Sequence, residues 1–453
     1  MQEKQNDFTK NSMAYNIMSL AIPMTIAQLI NVLYSLVDRM YIGHLAQNST
    51  LALTGLGIAF PIIMLVTAVT NLFGMGGAPL CSIARGRGDD ERAEKIIGNS
   101  FAMLIICSCI LIIIGLVMKK FLLYLFGASD ETYPYANEYF SIYIWESIFV
   151  MVGLGMNTFI NAQGFAKKGM LTILIGAIIN IILDPIFIFC LDLGIKGAAI
   201  ATVIAQFISA SWVLYFLFSD KTIYRIKKSC MKLDFKLIKE IVSLGFSGFV
   251  FATTGSLVQI VCNNVLLFWG GNIYVGIMTV LNSIRDVLQM TIEGIRSGAQ
   301  PVISYNYGAG QYLRVRQGIK FLTKIALLYT SIAWCILDFF PEFFIHLFNS
   351  EEEMLLLGVP ALHIYILGFF MMAFQSAGQT TFISLGMGKY ATFFSLFRKV
   401  ILVIPLTIFL LNLWDLGVYG VFYAEMISNF VGGIACFSTM MIVVWRRLGK
   451  LNK

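Results

Sequence analysis

Residues 77–93, GAPLCSIARGRGDDERA, and residues 298–316, GAQPVISYNYGAGQYLRVR, are two versions of one segment. A shift of 222 residues carries Pro79 onto Pro301, Ser82 onto Ser304, Gly86 onto Gly308, Gly88 onto Gly310 and Arg92 onto Arg314. The same shift then matches Leu125 and Phe126 with Leu347 and Phe348, Ile142, Tyr143 and Ile144 with Ile364, Tyr365 and Ile366, Gly164 with Gly386 and Lys167 with Lys389. With one residue inserted, Leu193, Gly194, Gly197 and Ala201 fall on Leu416, Gly417, Gly420 and Ala424. Leucine and isoleucine coincide by chance in apolar chains; glycine, proline and arginine held at one offset do not. The chain is an internal duplication.

Each copy is built for a membrane. Of the 453 residues, 58% are hydrophobic and only 13% charged. The stretch from Ala14 to Gly43 is apolar and nearly uncharged. Some 30 residues at about 1.5 Å each make a rod of about 45 Å, longer than a hydrocarbon core of about 30 Å. It is too long, and lacks an A-x-A-like site, for a cleaved signal peptide. Further apolar runs lie at about 51–80, 96–118, 136–162, 170–191 and 197–218, then at 238–268, 274–300, 318–340, 357–385, 392–412 and 417–445. With 14–43 they make twelve expected helices in an all-α, polytopic membrane protein. The Lys- and Arg-rich link from Ser219 to Lys236 divides them. The expected organisation is a lobe over 1–218, a basic linker over 219–237 and a second lobe over 238–453.

Six spans in each half is an even number, so the halves share one orientation and are parallel repeats about the membrane normal. Secondary transporters use this arrangement, with the substrate path between the halves. An old duplication without mechanistic meaning is the plain alternative. If alternate loops and both tails are taken as one side, that side holds all but six of the 32 Lys and Arg residues. Lys119, Lys120 and Lys196 fall on the other side, and Arg39, Arg285 and Arg296 within spans. Both termini are therefore expected in the cytoplasm. Topology accounts for the net charge of +7, with anionic lipid as a contact of the same residues and no call for nucleic acid. No P-loop, HExxH or GxSxG occurs, so ATP hydrolysis and familiar hydrolase chemistry have no seat. The eight cysteines lie mostly in apolar runs without CxxC or His partners, against a disulfide framework or zinc.

Polar residues inside the spans are the functional candidates, because a carboxylate at membrane depth costs about 2.5 kcal/mol or more. Asp38 lies near the outer end of the first span. Asn180 and Asp184 share a face of the fifth, four residues apart, and Asp184 lies at a depth like that of Asp38. Thr202, early in the sixth span, falls at the same level. Pro185 frees the carbonyl of Ile181 beside the acid. Two acids at one level suit protons or a sodium ion held by Asp38 and Asp184. The structural alternative is that Asp184 caps a kink and Asp38 bonds a neighbouring helix. In the eighth span Glu293 and Arg296 are spaced for an internal salt bridge, and Met290 and Glu293 are candidates for contacting a cationic substrate. Glu146 and Glu425 are single acids without an assigned place. His44, His346 and His363 are scattered without evident partners.

The segments Asn31–Gly43 (NVLYSLVDRMYIG), Asn180–Pro185 (NIILDP), Gly194–Gln206 (GIKGAAIATVIAQ) and the duplicated pair quoted first resemble the multidrug and toxic compound extrusion (MATE) family, in its MepA-like, DinF-related branch. The resemblance covers essentially all twelve spans. It implies two six-helix lobes forming a V, with efflux driven by inward proton or sodium flow and no cofactor. It makes Asp38, Asn180, Asp184 and Thr202 the coupling cluster of the first lobe, with Asn157 joining them. Family members that hold sodium on acids of the seventh and tenth spans are not matched, because residues 241–268 and 358–385 contain no acid. Asn161 stands where related sequences usually have Arg.

The resulting expectation is an antiporter of the cell membrane that exports amphipathic, often cationic, drugs in exchange for protons or sodium, working as a monomer. Two rivals stand beside it. One is a flippase for lipid-linked precursors from the same superfamily, which a strongly cationic cavity would favour. The other is a membrane-embedded aspartyl enzyme using Asp38 and Asp184.

Overall fold

A computed structural model describes residues 8–43, 49–348, 351–411 and 416–451, without side chains at 35, 39, 42, 43, 49–57 and 59–61. His44 and the side chain of Arg39 lie outside the described residues. Ten helices are long and apolar enough to cross a membrane, and Tyr133–Tyr143 with Glu146–Ala162, bent by 53° where they meet, makes an eleventh. The run Phe235–Gly308 is two spans end to end: at Gly271 the backbone takes φ 73° and ψ −172°, a conformation open to glycine. The chain thus has the twelve spans that its hydropathy announces.

In order these are Met13–Gly43, Ser49–Arg87, Asp90–Val117, the bent pair, Ala166–Pro185 running on into Ile186–Cys190, Gly194–Phe218, residues 235–270, residues 272–308, Tyr312–Phe339, Glu352–Ile366 with Met372–Ser384, Gly388–Leu396 continued to Leu411, and Tyr419–Met440 continued to Leu451. The second and eighth spans run well past the apolar stretches. Gly88 (φ 73°) and Gly310 (φ 70°) stop them in the same way. The next amides, of Asp89 and Gln311, reach back to the carbonyls of Ala84 and Asn306 at 3.0 and 2.9 Å, the six-residue bond of a Schellman ending. Asp89 then caps the third span by accepting from the Arg92 amide. One of the breaks repeats as well. The fourth span bends after Tyr143 and the tenth after Ile366, within one residue of the repeat, whereas the π-helical turns of the fifth and eleventh, at Ile186–Cys190 and Phe397–Val403, fall at unrelated positions.

Contact between the halves is reciprocal. A Cβ added to Gly86 would land on the Tyr305 carbonyl, and one added to Gly308 would land on the Ile83 carbonyl. These four residues are two repeat-related pairs. Deeper in, Gly76 and Gly245 press the second span against the seventh at Ile241 and Leu72, while Gly298 and Gly294 press the eighth against the first at Ala21 and Thr25. The opening helix of each half therefore begins in the core of the other. Met13, Ile17 and Leu20 pack with Ala299, Val302 and Leu322. Leu237 and Ile241 pack with Ile96, Ile97 and Phe159. Further along, Asn31 and Tyr34 of the first span border Ile173, Ala177 and Asn180 of the fifth.

The basic link is a strap bound to the first half. Gln163 Oε1 accepts from the Thr222 hydroxyl and from the amides of Ile223 and Tyr224 at 2.7 to 2.9 Å. Asn99 donates to the carbonyls of Cys230 and Lys232 and accepts from the Asp234 amide. The Tyr224 hydroxyl donates to Asp90 at 2.6 Å; burial, and then that carboxylate, hold the phenol well above its usual range, so it stays a donor.

Two sequence expectations need correction. Arg398 and Lys399, counted above with the basic loops, are buried inside the eleventh span at 3% and 7% exposure. They are hidden from a hydropathy reading because apolar residues surround them. His363 is not isolated, since its Nδ1 lies 2.8 Å from Asp338 Oδ1.

Candidate functional site

Between the halves, beyond the glycine contacts, lies a cavity of about 380 Å³. The first half contributes Gln28, Asn31, Asn71, Asn157 and Asn161, and the second contributes Phe251, Glu293, Arg296 and Gln379. On the side that bears the termini it is sealed. Phe8 is fully buried, its ring 5.5 Å from that of Tyr305, with the Arg85 guanidinium 5.1 and 5.0 Å from the two rings. Arg314 fastens this plug by donating to the carbonyls of Phe8 and Asn11 at 2.8 and 2.7 Å.

A crevice leads from the cavity into the first half, sharing Asn31, Leu154 and Ile173 with it and ending at Asn180 and Thr202. There the Asn180 amide donates to Asp184 Oδ1 at 3.0 Å and to Thr202 Oγ1 at 3.3 Å. Thr202 in turn donates to the Ala198 carbonyl. Asp184 is wholly buried. Asp38, half-buried on the first span, is near enough to act electrostatically on Asp184 and also on Glu146. Four of the sequence candidates, Asp38, Asn180, Asp184 and Thr202, therefore come together. Asn157 does not join them; it donates to the Gly169 carbonyl at 3.3 Å, about three turns along the fifth span from Asn180, and faces the main cavity. Asn161 lies beside it, buried on the same wall.

Glu146 is the member that sequence reading missed. It is buried, with Tyr143 as its hydrogen-bond partner. It opens the helix just past the 53° bend of the fourth span, close enough to Asp38 to feel its charge. Among the described residues, Asp184 Oδ2, Glu146 Oε2 and Asn180 Oδ1 are buried and accept no hydrogen bond. Buried oxygens without donors are costly, and a proton or a cation is what would satisfy them. No set of three or more His, Cys, Asp or Glu side chains in metal-binding arrangement occurs among the described residues.

The second half carries charge at the related place. Glu425, one repeat from Thr202, accepts from Lys399 Nζ at 3.2 Å and has Arg285 Nη1 at 3.9 Å. Arg285 donates to the hydroxyl of Tyr365, the repeat mate of Tyr143, and that hydroxyl donates to Asn282 at 2.8 Å. Arg398 donates to Asn429 Oδ1 at 2.7 Å. Glu293 and Arg296 form the expected ion pair at 2.5 Å, on the cavity wall. Met290 is half-buried and is not among the residues lining this cavity.

The MatE family's model matches residues 23–186 and 248–409, one stretch in each half. Among curated proteins, the multidrug export protein MepA of Staphylococcus haemolyticus is 25% identical over 450 residues, 98% of this chain and 96% of that protein. MepA of Staphylococcus saprophyticus subsp. saprophyticus is 23% identical over 446 residues, 97% of this chain and 95% of that protein. A solved structure described as the outward-facing conformation of a multidrug resistance MATE family transporter of the MOP superfamily superposes with a TM-score of 0.91 at 23% identity, over 99% of this chain and 100% of that one. That likeness establishes the fold, twelve spans in two lobes.

Proposed function

Since the chain belongs to the MatE family, we propose that it is a multidrug exporter, a secondary antiporter of the cell membrane that moves amphipathic compounds outward in exchange for protons or sodium. The export role is supported by full-length similarity to MepA proteins, and the aspartyl-enzyme reading falls with membership in a family of transporters. In this reading both termini are cytoplasmic, the chain works as a monomer, and the sealed side faces the cell interior.

The observation that carries the mechanism is the crevice that runs from the cavity to Asn180, which bonds Asp184, together with the unsatisfied buried oxygens of Asp184 and Glu146. A proton or sodium ion entering from outside is taken by Asp38, Asp184 and Glu146. Asn180 and Thr202 hold Asp184 in place and transmit its change of charge along the fifth span, where Pro185 and the following π-helical turn give the backbone room to move. The wall of the cavity then shifts and the compound leaves. A flippase for lipid-linked precursors is the second reading, favoured by the buried basic residues of the second half.

The test is ethidium efflux from cells lacking their own pumps, under an imposed proton or sodium gradient, comparing native protein with Asp38→Asn and Asp184→Asn. Native efflux, lost in both variants at equal expression, is expected, and the effective gradient names the ion. Equal dye retention in all strains would remove the drug-export reading and move the flippase reading ahead.

A further inference from the structure

We propose that Arg398 forms an oxyanion subsite at the rear of the cavity, so that the compounds held best carry a carboxylate or sulfonate beside an apolar body; this deepens the exporter reading and rests on it. The first observation is position. A narrow cleft opens off the main cavity, sharing Phe251, Glu293, Arg296 and Gln379 with it, and its far wall is formed by Arg398, Gln289 and Gln375. Its space of about 20 Å³ is room for a group about the size of a water molecule and excludes the body of a ligand.

The second observation is the state of Arg398. It is 3% exposed, its partner Asn429 is neutral, and its Nε is buried without an acceptor among the described residues. Its stem packs closely against Gly432, where an added Cβ would lie 3.1 to 3.4 Å from its Cβ, Cγ and Cδ. Buried guanidinium groups are normally paired, because an ion taken out of water needs a counter-charge.

The third observation is the charge balance around it. Among the described residues, Arg285, Arg398 and Lys399 share one buried acid, Glu425, and Asp286 is exposed and bonds Arg285. Arg296 is neutralised by Glu293. One positive charge is left over, and it lies at the cleft. The first half instead buries acids, Asp184 and Glu146 with Asp38 near them, so the buried charge of the two halves differs in sign. A molecule with a carboxylate or sulfonate supplies the missing counter-charge and accepts from the Arg398 Nε.

The experiment uses two dyes with one body: rhodamine 110, a free carboxylic acid, and rhodamine 123, its methyl ester. Binding is followed by fluorescence anisotropy in purified, detergent-solubilised full-length protein. Native protein is expected to bind the acid about tenfold or more tightly than the ester, the scale of a charge-assisted hydrogen bond. Arg398→Gln is expected to erase that preference while leaving the ester's affinity within about threefold, and Arg398→Lys to keep most of it. Equal affinity of the native protein for both dyes overturns the proposal whether or not any variant folds. Parallel loss of both dyes in Arg398→Gln with an unchanged melting temperature also overturns it, since the residue would then shape the cavity and not read charge. Binding is measured apart from transport, so failure of ethidium export removes the exporter role and leaves this result standing.

Discussion

Among the described residues Glu425 is the one buried acid beside Arg285, Arg398 and Lys399, and its removal leaves Lys399 without an acidic partner. Breaking a buried pair by deleting one partner costs about 3–5 kcal/mol, because the remaining charge is left uncompensated. Glu425→Gln is therefore expected to lower stability in reversible unfolding in mixed micelles by about 3 kcal/mol, and Lys399→Met with Glu425→Gln by at least about 1 kcal/mol less, since the stranded charge has gone. A double variant as unstable as the sum of the two singles would show that Lys399 and Glu425 do not sense each other. In the first half, Glu146→Gln is expected to lose coupled efflux as Asp184→Asn does, while Asn157→Ala keeps the coupling and changes only the affinity for the compound. Intact efflux in Glu146→Gln would remove that residue from the cluster. Asp38, Asn180, Asp184 and Thr202 were legible in the sequence because each lies a countable distance from a helix end. Glu146 was not, because it lies just past a bend that leaves no mark on the apolar pattern, and Arg398 and Lys399 were not, because two charges inside an apolar run look like the edge of a loop.

At the scale of elements, the helices whose ends carry the seal were underestimated by hydropathy and marked by glycine. The second and eighth spans continue about two turns beyond their apolar runs, to Gly88 and Gly310, and it is in these extra turns that Arg85 and Tyr305 meet Phe8. The apolar pattern records lipid, whereas these turns are surrounded by protein; the duplicated glycines, matched above only as a repeat, mark where the two helices end. Phe8 contributes a fully buried ring to this seal, and truncating such a ring to alanine typically costs about 3–5 kcal/mol. That cost falls on the sealed arrangement, in which the plug is packed. Phe8→Ala is expected to shift the population toward opening on the terminal side, seen by electron–electron double resonance as a growing long-distance component between spin labels at Asp89 and Gln311. An unchanged distance distribution would mean that the glycine contacts alone keep the seal shut.

For the whole molecule, the decisive feature is that the same two contacts occur twice, related by the repeat. Gly86 on Tyr305 and Gly308 on Ile83 place two backbones in direct contact at one point on the axis between the lobes. An interface of this kind has little side chain to adjust, so the halves either meet there or separate as bodies. Export by alternating access requires separation. Because a Cβ at Gly308 would land on the Ile83 carbonyl, and one at Gly86 on the Tyr305 carbonyl, neither side chain fits while the halves meet. Gly86→Ala and Gly308→Ala are each expected to disfavour the sealed arrangement, slowing ethidium efflux at equal expression and adding a long-distance component between spin labels at Asp89 and Gln311. The acids of the first lobe lie away from this contact, so their loading should persist in both variants. Native efflux with an unchanged distance distribution in both would mean that this contact is not made in the working cycle, and the substrate path would then have to bypass the axis on which the duplicated halves meet.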